Sequence, residues 1–152
     1  MPTAQDLAEA VREALQARDK VAQGLGMQVL SIGPGVATLC MAVRDDMVNG
    51  VGLCHGGLIF TLADSAFGFA GNSRNERTVT SGMDIHFIAA AVPGDVLTAS
   101  AREVCKAGRS GLYDVSVSNQ RGEVVAMCRG RAHTLRGQSV VPVMAAGAAG
   151  PA

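Results

Sequence analysis

The chain has 152 residues and a mass of 15.5 kDa, a length that suits one domain with a single core. Thirteen Lys and Arg residues balance 13 Asp and Glu residues, and aromatic side chains make up only 3% of the sequence. We therefore expect neither a nucleic-acid nor a membrane partner, because proteins that bind these polyanions usually carry an excess of positive charge. The four cysteines form no C-x-x-C pair, and the mixed charges of the first 20 residues do not resemble a signal peptide. These features predict free thiols in a cytoplasmic protein.

The hydrophobic pattern predicts helices and strands in a recognisable order. Apolar residues at helical spacing predict an N-terminal helix over residues 4–22, and segment 57–71 is apolar nearly all round, which predicts a buried helix. Strand-like runs lie at 27–32, 36–43, 78–90, 95–107, 110–119 and 123–135. We expect an α+β domain over residues 1–136, with an antiparallel sheet against a helix, and a flexible low-complexity tail over 137–152.

Asp64 is the one ionisable residue within the apolar segment 57–71. A buried lone carboxylate is costly unless it is paired, hydrogen-bonded or protonated. Asp64 is therefore either a solvent-facing residue at the helix edge or a poised carboxylate at a working site, and we favour the second. Just upstream, His55, Gly56 and Gly57 precede or begin the helix, where unpaired amides suit an anion or a developing oxyanion.

Gly56 and Asp64 are eight positions apart, so they lie roughly 12 Å apart along a helix axis. One helix cannot bring its own first amides and its own Asp64 to a single reacting atom. Two copies packed antiparallel across a two-fold axis can do so. If both groups act together, the protein is at least a dimer with two equivalent sites.

The run from Asn49-Gly50 through Cys54-His55-Gly56-Gly57 to Asp64 resembles hotdog-fold acyl-CoA thioesterases of the phenylacetate-degradation (PaaI) type. The likeness covers residues 20–135 in one register and resumes at Asp95–Ala99, Gly111–Val115, Asn119-Gln120 and Arg129-Gly130. It implies a hotdog fold, in which an antiparallel sheet curves around a long central helix. It also implies a homodimer, and a homotetramer built from two dimers. One departure is that Ala89-Ala90-Ala91 stands where the family often has Arg-Pro.

The resemblance also implies an activity and a set of site residues. The activity is hydrolysis of aryl-acetyl or other small to medium acyl-CoA thioesters, with no cofactor besides the coenzyme A of the substrate. The catalytic carboxylate falls on Asp64, which would act as general base or as nucleophile. The oxyanion amide falls on Gly56, and Asn49 and His55 fall near the thioester carbonyl. The candidate substrate-binding residues are Gly57, Leu58, Thr80, Ser81 and Gly82.

Other functions and sites are also conceivable. The same fold could serve an enoyl-CoA hydratase or dehydratase, or a non-catalytic acyl-CoA sensor. A Cys54–His55 nucleophile pair is disfavoured, because neighbours on an extended loop usually point apart. Asp84 and His86 share a strand face with Thr80, but no third ligand is placed near them, so we expect no metal site. The candidates for binding coenzyme A phosphates are Arg44, Arg74, Arg77, Arg102, Lys106, Arg109, Arg129, Arg131 and Arg136.

Overall fold

The computed structural model describes residues 1–143. Its helices are α1 (Ala4–Arg18), α2 (Lys20–Gly24) and α3 (Gly56–Asn72), and a 3-10 turn spans Asp45–Met47. Its strands are β1 (Gln28–Gly33), β2 (Val36–Ala42), β3 (Thr78–Phe87), β4 (Val96–Ala107), β5 (Ser110–Ser118) and β6 (Val124–Thr134). In this part of the chain, no helix is both long enough and apolar enough to cross a membrane.

The six strands form one antiparallel sheet in the order β1-β2-β4-β5-β6-β3. Tight turns join β1 to β2, β4 to β5 and β5 to β6, and the first of these needs Gly35, whose φ of 74° suits glycine. β3 follows α3 and pairs with β6 at one edge of the sheet. The curved antiparallel sheet around a central helix confirms the predicted α+β hotdog architecture.

The core lies between α3 and the sheet. Leu62 and Ala66 of α3 are fully buried, and Leu97 and Val115 of the sheet are buried with them. Phe67 meets the ring of Tyr113 edge to face, with ring centroids 5.1 Å apart. This apolar packing fixes the direction of α3, and therefore the positions of both of its ends.

The N-terminal helix is divided in two, whereas its hydrophobic pattern predicts one continuous helix over residues 4–22. Asp19 causes the division. Its backbone N–H donates to Leu15 O at 2.9 Å and ends α1, while its carboxylate accepts from Ala22 N at 2.9 Å and caps α2. The bent pair lies beside the central helix, because α1 contacts both β1 and α3.

Residues 137–143 follow the sheet and bind the turn after α3. Asn75 Oδ1 accepts hydrogen bonds from Val140 N at 2.9 Å and from Val141 N at 2.8 Å. Val140 is buried as a result. The rest of the predicted tail, residues 144–152, lies outside the described residues. The domain limit at residue 136 stays a prediction.

Candidate functional site

The N-terminus of α3 is capped by the side chain of His55. Its Nδ1 accepts a hydrogen bond from Gly57 N at 3.0 Å, so the proton of the neutral ring is on Nε2. The backbone N–H of His55 donates to Met47 O at 2.8 Å, and that of Cys54 donates to Ala91 O at 2.8 Å. The loop before the helix is therefore held on both sides.

Gly56, the first residue of α3, has a free amide. Within residues 1–143 its N–H meets no hydrogen-bond acceptor, whereas the N–H of Gly57 is occupied by His55. The position is also tightly packed, because an added Cβ would lie 3.1 Å from the ring of Phe87. A free amide at the positive end of a helix can donate to an oxyanion.

Asn49 organises the loop that leads to the helix. Its Oδ1 accepts from Val51 N at 3.0 Å and from Leu53 N at 3.1 Å. Its side-chain Nδ2 has no acceptor within the described part of the chain, so it remains a free donor. Asn49 lines a cavity of about 290 Å³, whose walls also include Cys54, Phe87 and Ala91. The three alanines that depart from the family pattern all line this cavity.

Asp64 lies two turns into α3 and is half-buried. The hydroxyl of Thr80 on β3 donates to its Oδ1 at 3.1 Å, and this is the one donor to the carboxylate among residues 1–143. Asp64 and Thr80 line a second, larger cavity of about 590 Å³. The expectation that helix 57–71 is buried all round is therefore wrong along one stripe, where Gly57 is exposed and Thr61, Asp64 and Gly68 are only half-buried.

The predicted catalytic residues form two separate groups in one chain. His55 and Gly56 lie at the start of α3 and Asn49 lies in the loop before it, whereas Asp64 lies further along the same helix. Gly56 and Asp64 differ by eight positions, which is roughly 12 Å along the axis. Asp64 lines the larger cavity and Asn49 the smaller one. A single chain therefore offers two half-sites.

Comparisons with known proteins identify the family. Residues 51–126, half of the chain, match the family model described as the thioesterase superfamily. The chain is 38% identical to the acyl-coenzyme A thioesterase PaaI of Escherichia coli (strain K12) over 82% of this chain and 89% of that protein. The chain belongs to the thioesterase superfamily.

Solved structures of similar proteins support this membership of the thioesterase superfamily. The structure of the E. coli PaaI protein from the phenylacetic acid degradation operon matches with a TM-score of 0.88 and 35% identity, over 90% of this chain and 99% of that one. A Streptococcus mutans UA159 protein bound to acetyl-CoA matches with a TM-score of 0.70 and 28% identity, over 72% of this chain and 88% of that one. The predictions of a PaaI-type hotdog thioesterase and of a thioester hydrolase are confirmed.

The candidate substrate-binding residues of this thioesterase are dispersed. Thr80 lines the cavity of Asp64. Gly57 is occupied by the helix cap, and Leu58 packs against the core. Ser81 donates its hydroxyl proton to Arg131 O at 3.2 Å, and the guanidinium of Arg131 lies over Gly82. None of the last four residues lines the larger cavity, and their substrate-binding roles stay predictions.

Neither disfavoured site gains support from the geometry. Cys54 is buried, and desolvation, followed by the charge of Asp95, raises the pKa of its thiol, which works against a thiolate nucleophile. In the pairing of β3 with β6, Asp84 lies opposite Arg129 and His86 lies opposite Met127. No group of three or more His, Cys, Asp or Glu side chains in residues 1–143 is arranged to hold a metal ion.

Several candidate phosphate-binding residues are already paired. Arg74 binds Glu103, Lys106 binds Glu76, and Arg44 binds Asp46. Arg129 grips both carboxylate oxygens of Asp114 at 2.7 and 2.9 Å, and Arg102 lies 3.5 Å from the same group. Of the nine candidates, Arg77, Arg109, Arg131 and Arg136 form no ion pair within residues 1–143, and these remain the freest candidates.

Sequence reasoning missed two features of the site. The first is the ring of Phe87 against Gly56, a contact between the end of β3 and the start of α3. The second is the wall that Leu15 and Val21 of the α1–α2 pair contribute to the larger cavity. Both residues belong to the apolar helical pattern of residues 4–22, but that spacing alone could not say which cavity they line.

Proposed function

We propose that the protein hydrolyses acyl-CoA thioesters at two equivalent sites, each built by two copies of the chain. In each site Asp64 of one protomer faces the partner's Gly56. The observation that carries this proposal is the separation along α3. A free amide and a carboxylate lie roughly 12 Å apart on one helix and beside different cavities, so a two-fold partner is needed to unite them.

The edge strand β3 supports such a partner. It closes one side of the sheet, and its exposed apolar side chains include Phe87 (53% exposed) and the adjoining Ile88 (61%). An open apolar edge favours pairing with another strand. Two copies of β3 paired about a two-fold axis would cover this edge. They would also place the helix tips near it, because Phe87 contacts Gly56.

The chemistry begins with the thioester carbonyl against the amide of Gly56. As the carbonyl carbon becomes tetrahedral, its oxygen gains negative charge, and the N–H and the helix dipole stabilise it. The carbon–sulfur bond then breaks, and the sulfur leaves as the thiolate of coenzyme A, which becomes the thiol by taking a proton from the Asp64 carboxyl in the general-base route or from water in the nucleophile route. In this mechanism the free Nδ2 of Asn49 would donate to the carbonyl or to the attacking water. His55 keeps Nε2–H as a second possible donor while its Nδ1 caps the helix.

Asp64 activates the attack by one of two routes. As general base, it takes a proton from water, and the resulting hydroxide adds to the carbonyl. As nucleophile, it forms a mixed anhydride that water then hydrolyses. A single turnover in ¹⁸O-water with excess enzyme separates the routes. The label enters the product acid in the first route, and it can enter the Asp64 carboxylate in the second.

The wider biological setting follows from the same proposal. We expect two dimers to join as a homotetramer, with acyl-CoA as the sole organic partner and no separate cofactor. The names of the E. coli relative and of its operon suggest a substrate of the phenylacetyl-CoA type. The four free cysteines support a cytoplasmic location, because thiols stay reduced in that compartment.

A thiol-release assay tests the proposal. The panel runs from acetyl-CoA through phenylacetyl- and hydroxyphenylacetyl-CoA to a long-chain acyl-CoA. We expect Asp64→Asn to lower kcat by about 100-fold or more while the oligomer stays folded. Asp45→Asn, on the exposed 3-10 turn, is the matched control and should keep wild-type turnover. Near-normal release by Asp64→Asn would remove Asp64 from the mechanism.

The same preparation separates the two alternative functions. A hydratase would add water to an enoyl-CoA without releasing thiol. A sensor would bind acyl-CoA tightly and release no coenzyme A thiol. Either result with the wild-type protein, together with no release across the whole panel, would overturn the thioesterase proposal.

A further inference from the structure

The proposed dimer fixes which part of β3 lies at its two-fold axis. In each chain Phe87 contacts Gly56 at the start of α3. Thr80 binds Asp64 further along the same helix. Bringing the start of one helix to the partner's Asp64 therefore brings Phe87 close to the partner's Thr80. Because the two strands are related by a two-fold axis, the axis then passes through the middle of β3, near Met83.

The middle of β3 carries charge on the face of the sheet that points away from the core. Met83 and Ile85 of this strand pack against the core. Because successive residues of a strand point to opposite faces, Gly82 and Asp84 lie on the outer face, where Asp84 is exposed. The neighbouring strand β6 adds Arg131, which lies opposite Gly82 and is also exposed. An acidic and a basic side chain therefore lie together near the axis.

The guanidinium of Arg131 reaches from β6 across to β3. Its Nη2 lies 2.7 Å from the position that a Cβ on Gly82 would occupy, so a side chain at this position would displace it. The φ of Gly82 is not positive, so the backbone itself does not call for glycine. The missing side chain instead lets the guanidinium lie over the edge strand. A partner strand paired with this edge would lie only ~4.8 Å further on.

Neither of these two charges is balanced within the chain. Asp84 and Arg131 form no ion pair within residues 1–143, either with each other or with another side chain. Arg129 lies opposite Asp84, but its guanidinium is committed to Asp114 through hydrogen bonds of 2.7 and 2.9 Å. At the two-fold axis the two Asp84 carboxylates approach each other, which is unfavourable unless each meets a cation.

We infer that Asp84 forms an ion pair with the partner's Arg131, and that two such pairs, related by the two-fold axis, join the β3 strands on their outer face. Each copy gives one carboxylate and one guanidinium and receives the opposite charge from its partner. The pairs also favour one register of the two strands, because sliding them by two residues would move the charges roughly 7 Å apart. The inference rests on the proposed function, since the shared site is what places the axis at the middle of β3.

Two single substitutions and their mixture test the ion pairs. In their own dimers, Asp84→Lys sets cation against cation and Arg131→Glu sets anion against anion. We expect each variant alone to raise the dissociation constant of the dimer by about tenfold or more, as measured by sedimentation over a dilution series. In the mixture the new lysine meets the new glutamate, and the unchanged pair of charges also meets. Native mass spectrometry should then find assemblies that contain the two variants in equal numbers.

The controls separate a contact between chains from a contact within one chain. Asp45→Lys and Lys20→Glu make the same changes of charge at exposed positions outside the sheet, and they should assemble like the wild-type protein. Circular dichroism checks that every variant is folded. A chain carrying both Asp84→Lys and Arg131→Glu should also assemble. If that double variant assembles but the mixture does not, the pair lies within one chain. This result, or wild-type assembly of both single variants, would overturn the inference.

Assembly is measured without any thioester, so this inference and the proposed function can fail separately. Assemblies with equal numbers of the two variants would support the ion pairs even if no thioester were hydrolysed. Thiol release by the wild-type protein, together with a mixture that stays dissociated, would overturn the ion pairs and leave the thioesterase proposal intact.

Discussion

Thr80 on β3 donates a hydrogen bond from Oγ1 to Oδ1 of Asp64 on α3, at 3.1 Å. The bond joins the edge strand to the central helix and orients a carboxylate that has no other donor among residues 1–143. It leaves Oδ2 of Asp64 without a donor. In the proposed mechanism Oδ2 is therefore the oxygen that takes the proton of water or attacks the carbonyl.

We predict that Thr80→Val lowers kcat by about 10- to 100-fold, because a hydrogen bond to a charged group is worth ~1.5–3 kcal/mol. The valine has nearly the same shape, so KM should change little. Thr80→Ser keeps the hydroxyl and should retain most of the activity. Steady-state kinetics of the two variants provide the comparison, and equal activity of valine and serine would show that this bond does not orient Asp64 for catalysis.

The amide of Gly56 can be deleted without breaking the helix. Proline lacks the N–H and is well accepted at the first helical position. The preceding residue, His55, has φ −60° and ψ 129°, which is compatible with a following proline. Gly56→Pro should lower kcat by about 100- to 1,000-fold.

Gly56→Ala is the control for this substitution. It adds the same Cβ against Phe87 but keeps the N–H, so any loss caused by crowding appears in both variants. We expect the alanine variant to be clearly more active than the proline variant. Equal kcat values would mean that the amide does not stabilise the oxyanion.

Mixing two inactive variants tests whether the sites are shared. In a heterodimer of Asp64→Asn and Gly56→Pro, one site carries both changes and the other carries neither. Random reassortment makes half of the dimers mixed, so about a quarter of the wild-type activity should return after the subunits exchange. Activity that stays at the level of the separate variants, with exchange verified by mass labelling, would place each site within a single chain.

Alanine substitutions at Gly130, beside Phe67, and at Gly68, in the larger cavity, should change the free energy of unfolding in opposite directions. At Gly130 an added Cβ would lie 2.9 Å from the Phe67 ring, and such crowding of the core costs about 1–3 kcal/mol. At Gly68 the Cβ meets open space, and the gain in helix propensity should stabilise the fold by about 0.5–1 kcal/mol. Urea unfolding measures both. A stabilised Gly130→Ala would show that the Phe67 ring moves freely.

Asp95 gives the fold a defined acid sensitivity. The side chain of Gln120 donates to its Oδ1 at 2.8 Å and Val92 N to its Oδ2 at 3.0 Å, and these bonds, with the charge of Arg121, lower the pKa of the Asp95 carboxyl. The unfolded chain therefore binds this proton more readily than the folded one. Ionised Asp95 therefore stabilises the folded state fully at pH values above its ordinary pKa of about 4. This stabilisation is lost as the pH falls through the lower pKa that Asp95 has in the folded protein.

We predict that Asp95→Asn has a lower free energy of unfolding at pH 7 and a shallower decline on acidification than the wild-type protein. Urea unfolding between pH 7 and pH 2.5 gives the two curves. Asp45→Asn should follow the wild-type curve. Parallel curves for Asp95→Asn and the wild-type protein would show that this carboxylate does not contribute to acid unfolding.

Local patterns predicted the parts of this molecule that depend on neighbours in sequence. The hairpin turn at Gly33-Pro34-Gly35, the long apolar α3 and the strands after it all follow from periodicity and turn residues. The break at Asp19 was missed, because one side chain ends α1 and begins α2 against an otherwise continuous helical pattern. The half-exposed stripe of α3 was missed because segment 57–71 is apolar on all sides.

Within the site, the predictable part was the pair formed by the helix start and Asp64. Their spacing alone implied that one chain cannot unite them. The contact of Phe87 with Gly56 and the wall formed by Leu15 and Val21 could not be predicted, because they join segments 30 or more residues apart that no local pattern relates.

The contact between Phe87 and Gly56 gives assembly a direct bearing on turnover. Phe87 ends the strand through which we expect two protomers to pair, and its ring touches the residue whose amide would hold the oxyanion. Dilution that separates the protomers would therefore both withdraw the opposing carboxylate and free the ring that supports the helix tip. Specific activity should then fall as the enzyme is diluted, so that the abundance of the protein regulates its activity.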